Sequence, residues 1–110
     1  MAGRKLFTNA SPYSMAITLA IRASEDPRNQ AGTKEFTLNS KQSQWQEYGD
    51  NINIYLNGIK LAAIFNGQML GQQYIVIVRG SPLDDQLNTR NGVDFAFASG
   101  NFTLSTRQVN

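Results

Sequence analysis

The segment Ile52-Asn53-Ile54-Tyr55-Leu56-Asn57-Gly58-Ile59-Lys60-Leu61-Ala62-Ala63-Ile64-Phe65 constrains this chain more than any other. Two runs of alternating character flank an Asn-Gly pair. Asn-Gly suits a type I′ turn, whose two central residues both need positive φ. With Asn57-Gly58 as the turn, Leu56 faces Ile59, Ile54 faces Leu61 and Ile52 faces Ala63. One face then reads Ile52, Ile54, Leu56, Ile59, Leu61, Ala63, Phe65. The other reads Asn53, Tyr55, Lys60, Ala62, Ile64. A one-residue slip would scramble both faces. The spacing predicts a hairpin with one face on a core. Tyr55 and Ile64, diagonal neighbours in this register, make the second face too apolar for bare solvent. A second sheet or a neighbouring subunit is expected to cover it.

The same alternation recurs along the chain. Tyr13, Met15, Ile17, Leu19 and Ile21 point one way, and Ser14, Ala16, Thr18, Ala20 and Arg22 the other. Five apolar residues at period 2 leave no helical stripe, so 13–23 is expected to be a strand. Shorter strands are expected at 4–9, with Leu6 inward, and at 34–39, with Phe36 and Leu38 inward. The run Tyr74-Ile-Val-Ile-Val-Arg79 is almost continuously apolar and β-branched, as in a strand buried on both faces. Ser99-Gly100 is expected to turn a last hairpin that pairs Phe97 with Phe102, Phe95 with Leu104 and Val93 with Thr106. Residues 24–33 and 80–92 are expected to be polar loops, 40–51 is open between a connection and a strand through Ser43 and Trp45, and Asn66-Gly67 is a further turn signal.

A chain of 110 residues makes one domain, 1–110. Seven or eight short strands with turns about every ten residues predict an all-β fold: a single antiparallel β-sandwich of immunoglobulin-like, C2-like or jelly-roll type, with little or no helix.

Composition then narrows function. There is no Cys and no His, which removes disulfides, thiolate chemistry and the commonest general base and zinc ligand. The Ser residues have no His partner, no pair of carboxylates is singled out for glycoside cleavage, and phosphate-cradling glycine motifs are missing. The chain is therefore expected to be no enzyme. The ten Lys and Arg residues are scattered and the net charge is only +2, so no phosphate-binding stripe forms and nucleic acid is not an expected partner. No apolar run is long enough to span a bilayer, and residues 1–20 lack a signal-peptide pattern. Charged residues make up only 16% of the chain, below the usual quarter or so, and 11 Asn and 9 Gln take their place. An amide-rich, weakly charged surface suits polyol or peptide ligands and favours an extracellular or surface setting over the cytoplasm.

Strand alternation carries the 24–33 loop, the 57–58 turn and the 80–92 loop to one end of the sandwich. That end is expected to gather Glu25, Asp26, Arg28, Asn29, Asp84, Asp85, Asn88, Arg90 and Asn91, a set suited to binding carbohydrate or a protein surface. The plainer alternative is that they are solvated turn residues with local Asx caps. Asp84-Asp85, Asn88, Asn91 and Asp94 supply oxygens of the kind Ca²⁺ takes, but their spacing is not that of an EF-hand loop, and no cofactor is expected. A secondary candidate, at the opposite end, is Trp45 with Tyr48, which could stack on a sugar ring. A lone Trp in a small domain more often packs in the core. The rival functional class is structural: a subunit of a symmetric assembly, joined through exposed sheet edges or faces.

Overall fold

The computed structural model describes residues 3–23, 28–50, 52–65, 67–77 and 79–109, with the side chains of 64 and 65 left aside. Eight strands form two four-stranded sheets: β1 Gly3–Asn9, β2 Met15–Arg22, β3 Gln30–Leu38, β4 Ser43–Tyr48, β5 Leu56–Phe65, β6 Gln68–Ile75, β7 Gly92–Ala98 and β8 Asn101–Arg107. One helix, α1 Pro82–Thr89, lies between β6 and β7. The sheet orders are β4-β1-β7-β8 and β3-β2-β5-β6. All pairs are antiparallel except β1 with β7, which is parallel. The fold is the expected all-β sandwich with one parallel seam.

The core lies between the sheets. Alternation along β2 buries Met15, Ile17, Leu19 and Ile21, as expected, and Phe7, Val93, Phe95 and Phe102 meet them from the other sheet. Each fully buried side chain of this size contributes roughly 1.5–3 kcal/mol relative to exposure. The last hairpin has the expected register, Phe97 with Phe102, Phe95 with Leu104 and Val93 with Thr106. Ser99 at φ 54° and Gly100 at φ 83° turn it. Both central residues take the positive φ that a type I′ turn demands.

The expected Asn57-Gly58 turn is not there. Residues 57 and 58 lie inside β5, where Gly58 pairs with Ala20 on one side and Ile75 on the other. A Cβ on Gly58 would come within 2.5 Å of the Tyr74 carbonyl oxygen, so the close strand approach itself requires glycine. The physical reason lies in spacing. Leu56 and Ile59 are three residues apart and both belong to the one core, which a strict period-2 strand cannot place on the same face. A two-residue turn would solve this, and so does one extra residue in the ladder. The chain uses a β-bulge: the register with β2 shifts between Ala20 and Ile21. The reversal comes later instead, where Phe65 pairs with Gln68 and Gly67 has φ 77°. Asn66 lies outside the described residues. With the first turn gone, Ile52 and Ile54 precede the strand and are exposed, and Lys60 pairs with Thr18 and Gln73 rather than with Tyr55.

Other expectations change too. On β1 it is Phe7, not Leu6, that enters the core. The apolar run from Tyr74 is not a doubly buried central strand. It ends the edge strand β6 at Ile75, and Ile75 and Ile77 are exposed while Val76 is buried. Val78 lies outside the described residues. The 80–92 segment is not a loop, because α1 occupies most of it. Ser81 caps the helix by accepting from the Asp84 amide, Pro82 stands in its first turn, and Asp84 and Asp85 face its positive end.

Candidate functional site

The bulge in β5 builds the site. It turns Asn57 inward beside Arg22, the last residue of β2, which sequence alternation had placed on the polar face. The Arg22 guanidinium is nearly fully buried. Its Nε donates to Asn57 Oδ1 at 2.7 Å, and its Nη2 donates to Asp84 Oδ1 at 2.8 Å and to the Leu56 carbonyl at 3.2 Å. Asp84 reaches it from the first turn of α1. The Gly80 amide donates to Asp84 Oδ2 at 2.8 Å, and Asn88 Nδ2 donates to Oδ1 at 2.6 Å. Asn88 also clasps β5, accepting from the Leu56 amide at 2.7 Å and donating to the Leu56 carbonyl at 3.0 Å. Asn57 Nδ2 donates to the Asn29 carbonyl at 2.9 Å. Burial pushes the Asp84 carboxyl up, but the Gly80 amide, Arg22 and Asn88 outweigh it and hold the group below the usual carboxylate range. The helix is thus bolted to the sandwich end by a buried ion pair whose lone pairs are satisfied.

Over this pair lies a cleft of about 290 Å³, lined by Arg22, Tyr55, Arg79, Gly80, Asp84, Asp85, Asn88 and Thr89. The Arg22 guanidinium sits 5.7 Å from the centre of the Tyr55 ring. Tyr55 is half-buried, and Arg79, Asp85 and Thr89 are exposed. The Thr89 hydroxyl donates to the Asp85 carbonyl.

The structure does bring the expected end together: Asn29, Asn57 and the 80s segment meet there. It also gives several of the candidates internal work. Asp84 and Asn88 are spent on Arg22 and Leu56. Asn91 pins Val109, accepting from its amide at 2.6 Å and donating to its carbonyl at 2.9 Å. Arg90 Nη1 donates to the Thr106 carbonyl at 3.2 Å, and the Arg90 carbonyl accepts from the buried Lys5 Nζ. Arg28 and the Asn29 side chain are exposed. Glu25 and Asp26 lie outside the described residues. Among the described residues of the set, Asp85 alone offers an exposed carboxylate at the cleft. The oxygens considered for Ca²⁺ are dispersed, since Asp94 lies on a sheet face with Arg107, and no group of three or more metal-ligating side chains gathers among the described residues.

Trp45 and Tyr48 part company. They are three apart on a strand, so they face opposite ways. Tyr48 is buried at the end that holds α1, not at the opposite end, and burial raises its phenol. Trp45 is not in the core. It stands 40% exposed on the outer face, with the Arg4 guanidinium 4.2 Å from its ring centre. Arg22, Arg79 and Thr89 were not singled out by sequence, and Tyr55 was read as part of a covered apolar face rather than as a site residue. Arg22 meets Asp84 across 62 residues, and nothing local announces that pairing.

Compared with protein-family models, curated proteins and solved structures, the chain matches none. Among the described residues no helix is long and apolar enough to cross a membrane.

Proposed function

We propose that this chain is a non-catalytic binding module that takes a carbohydrate or similar polyol in the Tyr55 cleft. One observation carries the reading: an aromatic ring and exposed hydrogen-bonding groups meet over a prebuilt, rigid floor. The Tyr55 ring supplies a surface for the C–H face of a sugar. Asp85, Arg79 and Thr89 supply the polar partners that orient it. The floor costs nothing to organise on binding, because the Arg22–Asp84 pair is already ordered. At about 290 Å³ the cleft is near the small end of ligand sites, which suits a single ring rather than a long chain. Asp84, held ionised and fully hydrogen-bonded, is a poor general acid, which supports the non-catalytic reading.

The test is titration of a panel of mono- and disaccharides, followed by amide chemical shifts. Binding should perturb residues 55, 79–80, 85 and 89 and be lost in Tyr55→Ala and Asp85→Ala, both with parental far-ultraviolet spectra. A blank panel at millimolar sugar, or binding that survives both substitutions, would sink the reading.

A further inference from the structure

We propose that the outer face of the β3-β2-β5-β6 sheet binds a second copy of this chain, face to face, about a two-fold axis running along β2. The ladder registers place three rows across β3, β2 and β5. They are Thr37–Ala16–Ala62, Glu35–Thr18–Lys60 and Thr33–Ala20–Gly58. Small residues pave β2 and β5, which allows a second sheet to approach at the usual spacing of about 10 Å. Among the described residues Glu35 and Lys60 are the two charged side chains on this face. Both are exposed, on either side of Thr18.

A two-fold axis along β2 leaves β2 facing its own copy and exchanges the places of β3 and β5. Each row then becomes complementary to itself. Glu35 of one copy meets Lys60 of the other, twice. Thr37 falls over Ala62, and Thr33 over Gly58, so the larger side chain of one copy meets the smaller of its mate. On the axis only Ala16, Thr18 and Ala20 meet themselves. A two-fold axis at right angles to the strands would instead set Glu35 against Glu35. The charge pattern thus selects one symmetric arrangement and identifies the occupant as a second copy. Met69 and Ile75, exposed on the edge strand β6, flank the covered area.

Sedimentation of the full chain across a wide concentration range tests this. A monomer–dimer equilibrium is expected. Glu35→Lys and Lys60→Glu should each set like charges against each other twice and weaken association at least about tenfold. Mixed in equal amounts, the two variants should recover the dimer, because each then meets its opposite. That recovery separates lost pairing from lost folding. A parent that stays monomeric throughout would overturn the proposal and leave the face to solvent or to an unlike partner. So would a dimer indifferent to both substitutions, or variants that fail to restore each other while retaining parental circular dichroism.

Discussion

Two Arg–Asp pairs in this molecule have nearly the same length and opposite surroundings. Arg22 and Asp84 meet at 2.8 Å with side chains 3% and 9% exposed, whereas Arg107 and Asp94 meet at 2.9 Å with 49% and 27% exposed. In the first, Asp84 also accepts from the Gly80 amide and Asn88, and Arg22 also donates to Asn57 and Leu56. In the second, the other Asp94 oxygen is buried with no hydrogen-bond partner among the described residues. Distance alone would rank them as equals. Desolvation and the remaining hydrogen bonds separate them. The buried pair fixes a helix to a sheet. The surface pair adds little, because water and salt screen it.

Breaking the buried pair gives the largest expected effect. Asp84→Ala strands a buried guanidinium and should cost about 3–5 kcal/mol in denaturant unfolding. A loss under about 1 kcal/mol would erase the contrast between the pairs. The same pair has a pH signature. The Asp84 pKa is lower folded than unfolded, so its stabilisation is full above the unfolded carboxylate value. It is lost as pH falls through the lower folded one. Asp84→Asn should blunt that acid limb, and an unchanged acid profile would count against the assignment.

A second buried cation sharpens the comparison. Lys5 is buried with the Arg90 carbonyl as its hydrogen-bond partner, and it has no carboxylate among the described residues. Desolvation lowers its pKa from 10.5 to about 8. Here the unfolded state binds more protons between those values, so stability should rise with pH from about 8. The gain is at most about 3.4 kcal/mol by the shift-to-energy conversion. Above about pH 10 the raised Tyr48 phenol pulls the other way, since the unfolded chain then loses its proton first. Lys5→Met should flatten the rise and stabilise the protein at pH 7. Melts of parent and variant from pH 7 to 10 that run parallel would refute this.

Smaller effects complete the series. Ser81→Ala removes the cap that presents Asp84 and should cost about 1 kcal/mol. Asp94→Ala should lie within about 0.5 kcal/mol of the parent, because it loses a screened pair and relieves a buried oxygen. A loss comparable to that of Asp84→Ala would show that exposure is the wrong variable.

The contrast also marks what the sequence made legible. Period-2 patterning found β2 and the register of the last hairpin, since both depend on neighbours close in the chain. It read a turn at Asn57-Gly58 that is not there, because a bulge and a turn solve the Leu56–Ile59 spacing equally well and only the β2 and β6 partners decide. It passed over α1, although Ser81-Pro82 with Asp84-Asp85 is a helix start and Leu83 and Leu87 share one face; two turns are too short for a strong stripe. Strand alternation brought Asn29, Asn57 and the 80s segment to one end, but the internal bonds of Asp84, Asn88 and Asn91 were not legible. Whether an Asp binds a ligand or an internal Arg depends on what a strand 62 residues away brings to it.

The parallel seam between β1 and β7 bears on the order in which a ribosome delivers the parts. The β3-β2-β5-β6 sheet draws only on Met15 to Ile75, through antiparallel neighbours joined by shorter spans. The other sheet cannot be finished early. Its strand β1 has only β4 to pair with until β7 and β8 have been made. A two-stranded ribbon is marginal in water, and closing the longest loop is the slowest entropic step. A nascent chain halted before Gly92 would therefore present the inner row of Met15, Ile17 and Leu19 with half its cover missing. That inner row stays open to non-native contacts until β7 and β8 join the sheet.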